Sequence, residues 1–166
     1  MTSSAGFSDV LQANETYADN FEFVDLRPLA AKGLAVLTCM DSRIEPLGML
    51  GLQRGDAKIL RNAGARVTDD VLHTLVVARY LLAVDRVMVV AHTRCRMANA
   101  SEADIHEAID AAGGPDSRSI AFLTAEDQTS ALISDVQRIR SWPYLTDTEV
   151  GGFIYDLGTG RLRHIC

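Results

Sequence analysis

Four short apolar runs constrain this chain more than any other feature. They are Leu34–Met40 (LAVLTCM), Ala57–Arg61 (AKILR), Arg86–Ala91 (RVMVVA) and the alternating Gly152–Leu157 segment. Each is too short for a packed helix, and the first and third are apolar almost without interruption. That pattern suits strands buried on both faces of a sheet, as parallel strands are. Amphipathic segments separate the runs. One follows Thr68, with Asp69 and Asp70 in its first turn, and extends to Val84. There a Thr cap and early acidic residues complement the orphan N–H groups of a helix start. Two others cover Glu102–Ala112 and Glu126–Arg140, and Gly113-Gly114-Pro115 ends the first of these. Pro46 opens a short helix that Gly51 ends. Gly158-Thr159-Gly160 then turns the chain into Leu162–Ile165, a hairpin partner for the last run. The expected architecture is α/β: a mostly parallel sheet of four strands, an antiparallel edge strand, and flanking helices.

A chain of 166 residues fits one domain with a sizeable core. Residues 34–166 form the α/β domain. Residues 1–33 precede it as a helical arm, with a helix over residues 8–19, Ser8 as its cap, and Leu11, Tyr17, Phe21 and Phe23 among its apolar residues. The net charge of −6 argues against a general nucleic-acid surface, which needs cations for phosphates. No run approaches the ~18 apolar residues of a membrane span. Met1–Ser8 lacks the basic and apolar regions of a secretion signal, so the cytoplasm is the expected compartment. There are three cysteines, Cys39, Cys95 and Cys166. An odd number without a signal makes a poor disulfide framework and leaves thiols available to a metal. The polar Gly113–Ser119 segment reads as the most mobile loop.

The residues that carry chemistry cluster after two strands. The first strand runs into Cys39-Met40-Asp41-Ser42-Arg43, the third into His92-Thr93-Arg94-Cys95. In an open parallel sheet, sites form outside the carboxyl ends of strands. Cys39 and Asp41, two apart, project to one side of an extended segment. His92 and Cys95, three apart, suit one helical turn that begins at the strand end. Two thiolates, an imidazole and a carboxylate are a donor set that zinc accepts, and sulfur donors disfavour magnesium and calcium. The Ala63-Gly64 pair after the second strand offers bare backbone that a small substrate could approach. A tight turn would want the same glycine.

The order and spacing of Cys39-Met40-Asp41-Ser42-Arg43, Arg61-Asn62-Ala63-Gly64 and His92-Thr93-x-Cys95 resemble the β-carbonic anhydrases, in particular their compact bacterial branch. Thr68-Asp69-Asp70 and Gly151–Asp156 resemble the same family, so the likeness spans about Leu34 to Leu157. The resemblance implies zinc on Cys39, His92 and Cys95, with Asp41 or water as fourth ligand. It implies an Asp41–Arg43 dyad: Arg43 draws Asp41 off the metal, and Asp41 then orients the zinc-bound hydroxide that hydrates carbon dioxide to bicarbonate. Ala63 and Gly64 become walls of the substrate pocket. It also implies a homodimer or dimer of dimers, with the N-terminal arm around a neighbour. Related folds hydrolyse carbonyl sulfide or carbon disulfide with the same metal set, which is the alternative activity. The sequence departs from the family where Arg94 and Arg96 replace a usual Asp and Gly, and where His73 replaces a frequent Arg. Those cations favour a non-enzymatic zinc protein as a further alternative.

Overall fold

A computed structural model describes residues 5–166; residues 1–4 of the expected arm lie outside the described residues. Strands β1 (Leu34–Cys39), β2 (Ala57–Asn62), β3 (Arg86–His92), β4 (Glu149–Tyr155) and β5 (Leu162–His164) form one sheet in the order β2-β1-β3-β4-β5. The first four are parallel, and β5 pairs antiparallel with β4, Tyr155 facing Leu162. The chain steps from β1 out to β2, then returns across β1 to start β3 on its other side. That reversal makes the gap between β1 and β3 the switch point, where a crevice opens beyond the strand ends. Register sharpens the consequence. Thr38 of β1 lies opposite both Arg61 of β2 and Val90 of β3, so Cys39 and His92 leave the sheet at nearly the same level.

Helices α2 (Asp69–Leu81) and α4 (Gln128–Arg140) cover one face of the sheet. Leu72, Leu75, Val136 and Ile139 pack there against Leu37, Val87 and Val89, all fully buried or nearly so. Gly152 permits this approach, because a Cβ there would lie 3.0 Å from Val136 Cγ2 and 2.8 Å from Cys166 Sγ. The other face holds Leu34, Val36 and Val90 under the half-buried Met49, Leu50, Leu52 and Phe153. Helix α3 (Glu102–Ala111) lies beyond β3. It opens with a capping box in which Ser101 and Asp104 exchange hydrogen bonds.

Local expectations hold with adjustments at the ends. Thr68 caps α2 by accepting from Val71 N–H, but the helix stops at Leu81. Ser8 is the first residue of α1 (Ser8–Asp19) rather than its cap. The Pro46 segment makes only a 3₁₀ turn, Gly48–Leu50, closed by Gly51 with φ 64°. Asp127 caps α4, so that helix starts at Gln128 rather than Glu126. No residue of α1 is buried: Val10, Leu11 and Tyr17 are all exposed, as is Phe7 just before it.

Candidate metal centre

Strand ends bring Cys39, His92 and Cys95 together, all three buried, with their donor atoms within 4.8 Å of one another. The two sulfurs are 4.0 Å apart. The link between His92 and Cys95 is not the expected helical turn. His92 still belongs to β3, and the chain then reverses through Arg94, which takes a left-handed conformation (φ 57°) before a 3₁₀ turn at Arg96–Ala98. The left-handed angle thus falls at Arg94, not at Arg96, where a glycine is usual in the resemblance.

The surroundings of His92 suit a metal ligand. Its Nδ1 lies 2.9 Å from the Thr93 carbonyl, which only accepts, so Nδ1 carries the proton. Nε2 keeps its lone pair, is fully buried and has no hydrogen-bond partner. A buried nitrogen without a partner is costly unless something occupies its lone pair. Thiolates about 2.3 Å from a tetrahedral zinc would lie about 3.8 Å apart, close to the spacing observed. The donor set and its geometry therefore fit zinc.

The electrostatics fit a cation as well. The contact with the Cys95 sulfur, with the nearby imidazole and the Gly64 N–H, outweighs burial and lowers the Cys39 pKa. The same contact, reinforced by burial, pushes Cys95 upward. Burial alone would lower His92, but the Cys39 charge and the Thr93 carbonyl raise it overall.

Asp41 stands beside this group with Oδ2 3.9 Å from His92 Nε2, and its carboxylate faces Arg43. Arg43 Nε and an Nη donate to the two carboxylate oxygens at 2.8 and 2.6 Å, and the Arg43 backbone N–H adds a bond of 3.0 Å. This fork holds the Asp41 carboxyl far below the usual carboxylate range. The same Arg43 Nη also donates to the Arg94 carbonyl at 3.2 Å.

A cleft of about 470 Å³ opens over the centre, lined by Cys39, Met40, Asp41, Arg43, Ala63, Cys95, Arg96 and Met97 among others. Ala63 forms part of its wall. Gly64 does not: its N–H points to Cys39 Sγ at 3.4 Å, and with φ 78° a Cβ there would meet Met97 Cβ at 3.1 Å. Gly64 serves a tight turn that supports the sulfur. Arg96 lies on the cleft wall, whereas Arg94 is exposed outside it, near Gly158 and Asp156. Gln128 carried no signal in the sequence as a polar residue at a helix start, yet its side chain donates to the His92 carbonyl at 3.0 Å.

Comparison with known proteins agrees with this geometry. Residues 34–120 match the family described as "Carbonic anhydrase". The chain is 32% identical to Beta-carbonic anhydrase 1 of Mycobacterium tuberculosis over 162 residues, covering 95% of this chain and 96% of that protein. It is 26% identical over 150 residues to Carbon disulfide hydrolase of Acidithiobacillus thiooxidans, covering 78% of this chain and 75% of the relative. The crystal structure of a carbonic anhydrase from Streptococcus mutans superposes with a TM-score of 0.91 at 34% identity, over 100% of both chains.

Proposed function

This chain belongs to the β-carbonic anhydrase family, and from that premise we propose that it catalyses the reversible hydration of carbon dioxide to bicarbonate on a zinc ion held by Cys39, His92 and Cys95. One observation carries the reading: a buried Cys-His-Cys group with an unpartnered imidazole nitrogen, flanked by a carboxylate already paired with an arginine. Bound there, zinc supplies Lewis acidity that makes hydroxide available near neutral pH.

The chain's own groups do the rest. Arg43 keeps the Asp41 carboxylate paired and ionised, so that Oδ1 and Oδ2 can only accept. An accepting carboxylate at that position fixes the hydrogen of the attacking water and aims its lone pair at the substrate. Released by Arg43, the Asp41 carboxylate, 3.9 Å from His92 Nε2, could join the groups that would hold the ion, and the dyad would then act as a gate. Met40, Ala63 and Met97 give the cleft an apolar wall suited to carbon dioxide. Arg43 and Arg96 supply positive charge for the anionic product. Arg94 lies outside the cleft, so it leaves the site open.

Hydrolysis of carbon disulfide is the second reading, favoured by the carbon disulfide hydrolase relative and the same apolar wall. Purified protein with measured zinc content, assayed side by side on carbon dioxide, carbonyl sulfide and carbon disulfide, tests both. About one zinc per chain and the fastest turnover on carbon dioxide are expected. Zinc-loaded protein inert towards carbon dioxide defeats the proposal, and turnover of a sulfur substrate alone selects the second reading. Cys39→Ser and His92→Ala should each abolish zinc binding and lower stability, because metal-binding energy is folding energy.

We assign residues 34–166 as the metal-binding domain and residues 1–33 as an arm that packs on a second copy in a homodimer. The support is the exposed apolar set Phe7, Leu11, Tyr17 and Phe23 on an arm with no buried helix residue. The cytoplasm is the proposed compartment, since Cys39 and Cys95 must remain reduced to ligate. No described helix is long and apolar enough to cross a membrane.

A further inference from the structure

Asp41 is gripped at two ends. Its carboxylate is held by Arg43. Its backbone carbonyl is held by Arg61, which lies one strand away at the end of β2. The β1–β2 ladder closes at Cys39 opposite Asn62, with one further bond from Met40 N–H to the Asn62 carbonyl at 2.9 Å. Beyond that point the chain leaves the sheet to form the metal loop, and its carbonyls lose the regular donors of a ladder. Arg61 replaces them. Its Nε donates to the Cys39 carbonyl at 3.0 Å, and an Nη donates to the Asp41 carbonyl at 2.6 Å. Ile44 N–H is the second donor to the Asp41 carbonyl, at 3.1 Å.

Two features separate this from an ordinary surface arginine. First, among the described residues no carboxylate lies within ion-pair distance of Arg61, so its charge is not spent on a salt bridge. Second, the two acceptors belong to a metal-ligating cysteine and to the gate carboxylate, two positions apart. A planar guanidinium can reach both at once with neighbouring donors, which a point-charge ammonium cannot. The fork fixes the distance between those carbonyls and with it the direction in which Cys39 Sγ and the Asp41 side chain leave the backbone.

We propose that Arg61 is a positioning residue for the reaction, holding the Cys39–Asp41 backbone so that the sulfur and the gate carboxylate keep their places around the metal. The inference rests on the functional reading above, but its first readout does not need turnover. Full-length protein would be prepared with cobalt in place of zinc, as wild type, Arg61→Ala and Arg61→Lys. The visible bands of cobalt report the ligand field directly. Changed bands in Arg61→Ala, and release of metal to a chelator about tenfold faster than wild type, are expected, as for other groups that orient metal ligands. In zinc-loaded protein, kcat for carbon dioxide should fall about tenfold with KM within about twofold. Added methylguanidinium should restore part of the loss in Arg61→Ala, a response that a merely structural role would not give. Arg61→Lys, which keeps the charge and folds if Arg61→Ala does not, should show an intermediate cobalt spectrum because it reaches one carbonyl only. Wild-type cobalt bands and chelator release rates in either folded variant would overturn the proposal. An inactive wild type with altered bands in the variants would instead leave the positioning role standing and sink the assigned reaction.

Discussion

The ion pair between Arg66 and Asp135 gives the sharpest test of what supports the turn beneath Cys39. Asp135 sits on α4, and the two side chains are only 17% and 8% exposed. Arg66 Nε donates to one carboxylate oxygen at 2.7 Å and an Nη to the other at 3.4 Å. The second Nη donates to the Leu123 carbonyl at 2.7 Å, while the Asn62 side chain holds both the N–H and the carbonyl of Arg66. The pair therefore ties α4 to the segment that carries Gly64. Asp135→Asn preserves shape but removes the charge, and turns an NH₂ towards guanidinium donors. Breaking a buried pair from one side costs ~3–5 kcal/mol. Arg66 keeps the Leu123 carbonyl and some water, so we expect about 2–3 kcal/mol. Urea unfolding at fixed protein concentration and fixed metal loading would read this. With a slope of about 2 kcal/mol/M the midpoint should fall by about 1–1.5 M. The double variant Arg66→Met/Asp135→Leu, which removes both charges and fills the space, should recover most of the loss. A single-variant cost under about 0.5 kcal/mol, the scatter of neutral surface changes, would refute the reasoning. So would a double variant weaker than Asp135→Asn alone.

Arg43→Ala deprives Asp41 of its fork, and should lower carbon dioxide hydration about 10–100-fold, with the deficit shrinking as pH rises and hydroxide competes better for the metal. Stopped-flow rates equal to wild type across roughly pH 6.5–9, where metal-bound water titrates, would exclude the gate. Glu102 accepts from Phe122 and Thr124 N–H at 2.8 and 3.1 Å, and these bonds hold its pKa below the ordinary value. Its contribution is therefore complete above the unfolded value of about 4.3 and is lost as pH falls through the lower folded value. Amide-exchange protection of Phe122 and Thr124 should hold at neutral pH and be lost as pH falls through that lowered value, whereas Glu102→Gln should weaken it at every pH. Equal protection in wild type and variant would remove Glu102 from the account. Arg96→Gly should raise the hydration rate at equal zinc occupancy, because it removes bulk from the cleft wall and a charge that would retain the anionic product, without meeting a backbone demand at that position. An unchanged or slower rate would show that Arg96 does not restrain the site.

Local elements, and the grouping of Cys39, His92 and Cys95 at strand ends, can be read along the chain. Apolar runs such as Leu34–Cys39 can only be satisfied by burial on both faces, and Thr68 announces α2 through a bond made within three residues. Cys39, His92 and Cys95 were legible because few side chains bind a metal and because strand ends are where parallel sheets place sites. What the sequence missed depends on partners far along the chain. The spacing of His92 and Cys95 permitted a helical turn, but His92 still belongs to β3, and the chain brings Cys95 back to Cys39 through a left-handed Arg94. The Gly64 N–H finds Cys39 Sγ across 25 positions, Gln128 finds the His92 carbonyl across 36, and Arg66 finds Asp135 across 69. A bare-backbone reading of Ala63-Gly64 could not divide the pair into a cleft wall and a sulfur support, because Met97, in the 3₁₀ turn beyond β3, makes that division. Periodicity and capping act within one turn or one strand, so they can be read in order. Strand order and register bring distant groups within hydrogen-bond reach, and only the folded sheet fixes them.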